Sequence, residues 1–265
     1  QSAIGLVWVS VIRRWFSAGT QADLTIGPMF TALILTGLGL CAALLHLARP
    51  RLAPYALRNL AVSWLSREVM LVQAFAGAVA LSILLILLNT PLWLALLEAA
   101  ACLLGAAALF AMTRVYLLKT VPLWNSPATP LEFAGSAMLL GGAAGAFIAI
   151  IDAPLKPGWN PTLIAAGIGV LFGLILKLAA ISPALAAEQS SRTQTWYETT
   201  DEPFSAGWAL VIRVGLNISG LLLMLAATSW SGSTWPWFSL SLICIGSAEV
   251  LGRRRFYLAY RRLGL

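Results

Sequence analysis

The stretch LLHLARPRLAPYALRNLAVSWLSREVM, residues 44–70, decides the fold, because it is a polar hinge between two long apolar runs. Residues 26–48 before it are almost entirely apolar, and residues 69–88 after it are apolar again. Each run is close to the roughly 20 residues that carry an α-helix across a bilayer. His46 falls in the last turn of the first helix and Glu68 in the first turn of the second. Two antiparallel helices joined by a short loop bring those ends to one depth on one side of the membrane. The single histidine of the sequence can therefore face a carboxylate at a membrane surface. His46 and Glu68 are the candidate catalytic pair.

Composition places the whole chain in the same class as this stretch. Hydrophobic residues make up 60% and charged residues only 10%, against about 25% charged in an ordinary soluble domain. The reading is all-α: a polytopic membrane helix bundle forming one integral membrane domain over residues 1–265. The net charge of +7 reports loop orientation in such a protein and does not point to nucleic acid. Cys41, Cys102 and Cys244 lie singly inside apolar runs, so they read as small core residues, not as disulfide or iron–sulfur ligands.

Working outward, eight helices are expected, at residues 1–12, 26–48, 67–88, 91–118, 132–151, 161–181, 204–227 and 235–257. Twelve residues rise only about 18 Å as a helix, and the sequence does not start with Met, so the first helix is expected to lack its N-terminal part here. No signal peptide is visible. Ser66 is the expected N-cap of the third helix, with Glu68 favoured in its first turn by the helix dipole. Asn89-Thr90-Pro91 reads as a tight turn into the fourth helix. Residues 113–133 form a Pro- and Trp-rich loop, and residues 182–203 read as the longest loop, polar and locally acidic. The fifth helix contains GSAMLLGGAAGA, small residues that allow close helix packing in lipid.

Charge separates the two faces of the bundle. The loops after helices two, four and six, with the C-terminal tail, hold 12 of the 17 Lys and Arg residues. The positive-inside rule places that crowded face in the cytoplasm. His46, Glu68, Arg114, Tyr116, Trp124 and Glu249 all lie on it. Within the helices, Glu98 reads as a mid-span carboxyl, where an ionisable group is expensive and suggests a role or a structural hydrogen bond. Arg213 and Asn217, one turn apart, read as a buried polar pair, and Glu249 and Arg253 as an ion pair four residues apart.

Four blocks, LLHLARP, LSREV, RVY…TVPLWNSPATPLEF and AEVLGRRRFY, occur in order with compatible spacing. In this the sequence resembles the membrane-anchor subunit of dimethyl sulfoxide reductase-type enzymes. The resemblance implies an eight-helix, haem-free anchor in the bacterial inner membrane. It implies oxidation of menaquinol, with electrons passing to an iron–sulfur subunit and on to a molybdopterin catalytic subunit in anaerobic respiration. The family's quinol-site histidine and glutamate map onto His46 and Glu68. Arg114, Tyr116 and Trp124 are secondary quinol-binding candidates, and Arg49, Arg51 and Arg58 are partner-docking candidates. The sequence departs from the family pattern in Arg67 before the glutamate and in residues 182–203.

The chemistry suits these residues. Oxidising a quinol removes two electrons and two protons, so the pocket needs a hydrogen-bond acceptor at a quinol hydroxyl and a path to water. A b-type haem in such anchors usually needs two histidines, and this sequence has one, so no haem and no metal are expected in it. Blander readings stand beside these: His46 as an interfacial cap, Glu68 as a dipole partner, Arg114 and Tyr116 as interface anchors, and the tail arginines as lipid or partner contacts. Two other functions compete, a transporter or channel subunit and a purely structural anchor. A quinone-reducing complex running in the reverse direction is a further alternative.

Overall fold

A computed structural model describes residues 1–16, 23–45, 55, 57–152, 161–194, 206–229 and 233–258. Among the described residues the regular structure is helical throughout: α1 (Ser2–Phe16), α2 (Asp23–Leu45), α3 (Trp64–Leu87), α4 (Pro91–Tyr116), α5 (Ala128–Asp152), α6 (Pro161–Ala179), α7 (Ile181–Gln194), α8 (Ala206–Ser229) and α9 (Trp235–Leu258). Seven segments are long and apolar enough to cross a membrane; one of them runs from α6 into α7, over Leu163–Gln189. The shorter α1 packs inside the bundle, with Leu6, Val7 and Val9 buried. The protein is a multi-pass membrane helix bundle, as its composition requires.

The small-residue helix is the hub. α5 packs against α1, α6 and α9, and its glycines set the spacing. A Cβ added at Gly141 would lie 2.2 Å from the backbone carbon of Gly5, and one at Gly5 would lie 1.7 Å from the backbone oxygen of Ala137. A Cβ at Gly142 would lie 2.7 Å from the Ala166 oxygen on α6. Backbone touches backbone there, the packing mode that small residues permit in lipid. The buried core falls into two clusters, one of α1–α4 with Ala137 of α5 around Phe75 and Met29, the other joining α5, α6, α8 and α9 with Val9 of α1 around Phe238 and Ile245. On the outside, large apolar side chains such as Leu38, Leu103, Phe172 and Val211 are exposed, as a lipid-facing surface demands.

α1 runs to Phe16 and α5 starts at Ala128, each about one turn beyond the expected residues 12 and 132, and two further boundaries differ for identifiable reasons. The N-cap of α3 is Ser63, not Ser66: the Ser63 side chain accepts from the Ser66 backbone N–H at 3.3 Å, so the helix begins one turn earlier. Glu68 therefore sits in the second turn. Residues 182–194, expected within a loop, belong to α7. Ala180 N donates to Leu176 O and Ala184 N to Ala180 O (3.0 and 3.1 Å), so helical bonding runs almost unbroken from α6. Pro183 falls in the first turn of α7, where a missing N–H costs little. The Asn89 turn is as read: Asn89 has φ 52°, a left-handed conformation that Asn tolerates, and Pro91 opens α4.

Candidate functional site

Glu68 stands half-buried on α3 at the end where α2 finishes and α4, α6 and α9 also end. It is within electrostatic range of Tyr116, at the last residue of α4. Its neighbour Arg67 turns away from it. The Arg67 guanidinium donates to the backbone oxygens of Leu60 and Ala61 (2.8 and 2.6 Å) and lies 4.4 Å from the Trp64 ring centre. Arg67 thus fastens the turn before α3 to the start of that helix. His46, Arg49 and Arg51 lie outside the described residues. Arg58 is exposed, its guanidinium 4.3 Å from the Tyr55 ring centre.

The three secondary candidates part company. Tyr116 and Trp124 meet edge to face, 5.3 Å between ring centres, in an aromatic cluster with Phe133, Phe256 and Tyr257. Trp124 is buried, stacks on Phe256 at 5.2 Å and donates its indole N–H to the Phe256 backbone oxygen at 2.8 Å. The Tyr116 and Tyr257 hydroxyls lie 3.3 Å apart. Arg114 is exposed and faces Trp64, 5.1 Å from its ring centre, on the α3–α4 side. Among the described residues, no group of three or more His, Cys, Asp or Glu side chains could hold a metal ion.

The same end carries a charge cluster that local spacing does not reveal. Lys177 of α6 is 6% exposed, and its Nζ donates to Glu132 Oε2 at 2.7 Å, to Ser136 Oγ at 2.8 Å and to Glu249 Oε2 at 2.9 Å. Arg213 of α8 donates to Glu132 Oε2 at 2.8 Å. Ser136 Oγ lies 2.5 Å from Glu249 Oε2, and its one hydroxyl proton serves that oxygen or the Glu132 backbone oxygen at 2.8 Å. Arg253 donates to Ser136 Oγ at 3.3 Å and to the Gln1 side chain, with its guanidinium 4.1 Å from the Phe133 ring centre. Glycines make the room: a Cβ at Gly252 would lie 2.5 Å from the Arg213 guanidinium, and one at Gly135 would lie 3.0 Å from Lys177 Cγ.

These pairings revise two expectations. Glu249 bonds Lys177 and Ser136 from other helices, not Arg253 on its own. Arg213 bonds Glu132, while Asn217 is buried with its Oδ1 unpartnered among the described residues. Glu98 is fully buried but not at mid-span. It lies near the start of α4, 2.6 Å from the Arg14 guanidinium near the end of α1, at the opposite end of the bundle. Depth along each helix was the available signal. Glu132, Lys177, Arg213 and Glu249 all sit within about three turns of the basic end of four different helices.

The fold and site define a polytopic helical membrane protein with a buried cluster of charged side chains at its basic end, the end at which the half-buried Glu68 also lies. Similarity to known proteins narrows this class. The family model for the DMSO reductase anchor subunit (DmsC) matches residues 1–258, and the chain belongs to that family. It is 28% identical over 245 residues to the C subunit of the anaerobic dimethyl sulfoxide reductase of Escherichia coli (strain K12), covering 91% of this chain and 83% of the relative. It is also 29% identical over 291 residues to the anaerobic dimethyl sulfoxide reductase subunit YnfH of the same organism, covering 100% of this chain and 93% of that one. No solved structure matches it.

Proposed function

We propose that this protein anchors a dimethyl sulfoxide reductase-type complex in the bacterial inner membrane and oxidises menaquinol there. Electrons pass from the quinol to an iron–sulfur subunit docked on the basic end, and then to a molybdopterin catalytic subunit that reduces dimethyl sulfoxide or a related acceptor. The observation that carries this reading is the family match over residues 1–258 together with the position of Glu68, half-buried at the basic end within electrostatic range of Tyr116. A half-buried carboxylate can accept a quinol hydroxyl proton while the surrounding apolar helices hold the isoprenoid tail. His46 is the second proton acceptor in this reading. Tyr116 and Trp124 border the pocket, and Arg58, with Arg49 and Arg51, faces the partner. The single histidine supports electron delivery without haem in this subunit.

The transporter reading has less behind it. The charged clusters lie toward the two ends of the bundle, whereas transport sites gather near the midplane. The deciding experiment replaces Glu68 by Gln in the assembled complex. Quinol-dependent turnover should fall by about 10²–10⁴-fold, the usual contribution of a general base. Reduction of the acceptor by a reduced viologen dye, which feeds the partner subunits directly, should stay normal. Wild-type quinol turnover in that variant overturns the assignment.

A further inference from the structure

The buried charge cluster has no part in the reading above, yet it is the most heavily charged feature inside the bundle. Burying carboxylates and a lysine together is costly, and apolar side chains of similar volume would hold four helices at least as well. The cluster is also arranged in a row. Glu249 is the inner end: it lies more than two turns inside the end of α9 and is 4% exposed. Its Oε2 meets Lys177 and Ser136, while Oε1 has no hydrogen-bond partner among the described residues. Lys177 Nζ connects it to Glu132, which stands in the second turn of α5 with its side chain 24% exposed. A cleft of about 510 Å³ reaches Ser136 and Glu249, with walls from Leu140, Gly246 and Val250 and a rim of Gln1, Arg253 and Arg254. Every link from Glu249 to Glu132 is thus a hydrogen bond of 2.9 Å or less.

From this geometry we propose that Glu249, Lys177 and Glu132 form a proton relay, carrying protons released by quinol oxidation from this cleft to the basic end of the bundle. The inference rests on the quinol reading and extends it to residues that reading leaves unused. Both quinol O–H bonds break as Glu68 and His46 take the protons and hand them in turn to Glu249, while the electrons go to the iron–sulfur centre of the partner. Lys177 gives its own proton to Glu132 and takes the one held by Glu249. Glu132 then releases a proton to water, and two passes clear both protons of one quinol. Arg213 and Arg253 hold the carboxylates in place: the first bonds Glu132 and the second reaches Ser136. Ser136, touching Lys177, Glu249 and Arg253, keeps the links short.

The test uses the assembled complex in native membranes and two variants. Lys177→Arg keeps the positive charge and the donors, but a guanidinium does not give up its proton. The relay therefore predicts that quinol-dependent turnover falls by about 10²–10⁴-fold, with the KM for quinol and the dye-driven activity unchanged and a larger solvent deuterium effect. Glu249→Gln removes the inner acceptor and should give the same pattern. Turnover near the wild-type rate in Lys177→Arg overturns the relay, because a merely structural ion cluster accepts that exchange. Failure of both variants to assemble also overturns it, in favour of a structural clamp. Glu68→Gln separates this proposal from the one it rests on. A slow Lys177→Arg beside a fast Glu68→Gln removes Glu68 and keeps the relay, and the reverse keeps Glu68 and removes the relay.

Discussion

At the basic end of the bundle, α5, α6, α8 and α9 each contribute a charged side chain to one hydrogen-bonded cluster, with Lys177 joined to three oxygens. At the opposite end, Glu98 of α4 meets Arg14 of α1 at 2.6 Å, with Arg13 buried next to it on α1, and neither Glu98 oxygen has a partner of hydrogen-bond geometry among the described residues. Both sites bury a carboxylate almost completely, yet they differ in how the charge is met. Hydrogen bonds from several helices fix each group in the cluster and make the four helices depend on one another. The Arg14–Glu98 pair joins α1 to α4, and its cation, with a 20% exposed side chain, can reach toward the headgroups. The same residue types therefore tie the bundle together at one end and sit as a local contact at the other.

The largest effect should come from breaking the cluster at its centre. Lys177→Met leaves Glu249 buried with Ser136 as its remaining hydrogen-bond partner among the described residues, while Glu132 keeps Arg213. Removing one partner from a buried ion pair costs about 3–5 kcal/mol. Denaturant titration of the purified protein in detergent should show a loss of that size. A loss below about 1 kcal/mol, within the range of ordinary surface changes, would mean that the cluster does not tie the four helices together.

A smaller loss is expected at the other end. Arg14→Met strands Glu98, but a single carboxyl can take up a proton, and the cost then falls to that of an unsatisfied buried polar group, about 1–3 kcal/mol. The same titration measures it. If Arg14→Met proves as damaging as Lys177→Met, the two ends are equivalent and the contrast fails. The double variant Arg14→Met with Glu98→Gln should recover part of the loss, since the buried charge is gone.

Much of this architecture is legible in the sequence, for a physical reason. A bilayer forces each crossing into about 20 apolar residues, so spans can be located by length, and the Gly and Ala of α5 announce a helix that others approach closely. The start of α3 was displaced because Ser63 and Ser66 are both competent caps one turn apart, and which one is used depends on the turn that Arg67 holds. α7 was hidden because a polar sequence with a proline reads as a loop, whereas Pro183 is harmless in a first turn and Ser126 of the α4–α5 connection donates to its backbone oxygen at 3.2 Å. The cluster escaped because its pairs are separated by 45 to 81 residues along the sequence, so only helix packing brings them together. Local i, i+4 spacing favoured Glu249 with Arg253, and the packing of α6 against α5 gave Glu249 a nearer cation.

The smallest effect sharpens the contrast most, because it asks whether the Glu98 charge matters at all. Glu98→Gln keeps the shape of the side chain and removes its ionisation. Arg14 then loses its partner, but its partial exposure lets the guanidinium turn to water or lipid phosphate, so no buried cation is left bare. The glutamine also brings two donors to a buried spot where neither carboxylate oxygen has a hydrogen-bond partner now. These changes nearly cancel, and the expected loss is under about 1 kcal/mol, the size of one ordinary hydrogen bond. Quinol-dependent turnover should stay within about twofold of wild type, since the pair lies at the end of the bundle away from Glu68 and the Lys177 cluster. A Glu98→Gln variant that assembles, binds quinol and turns over tenfold more slowly would show that the chemistry reaches both ends. The division between a working basic end and a structural opposite end would then be wrong.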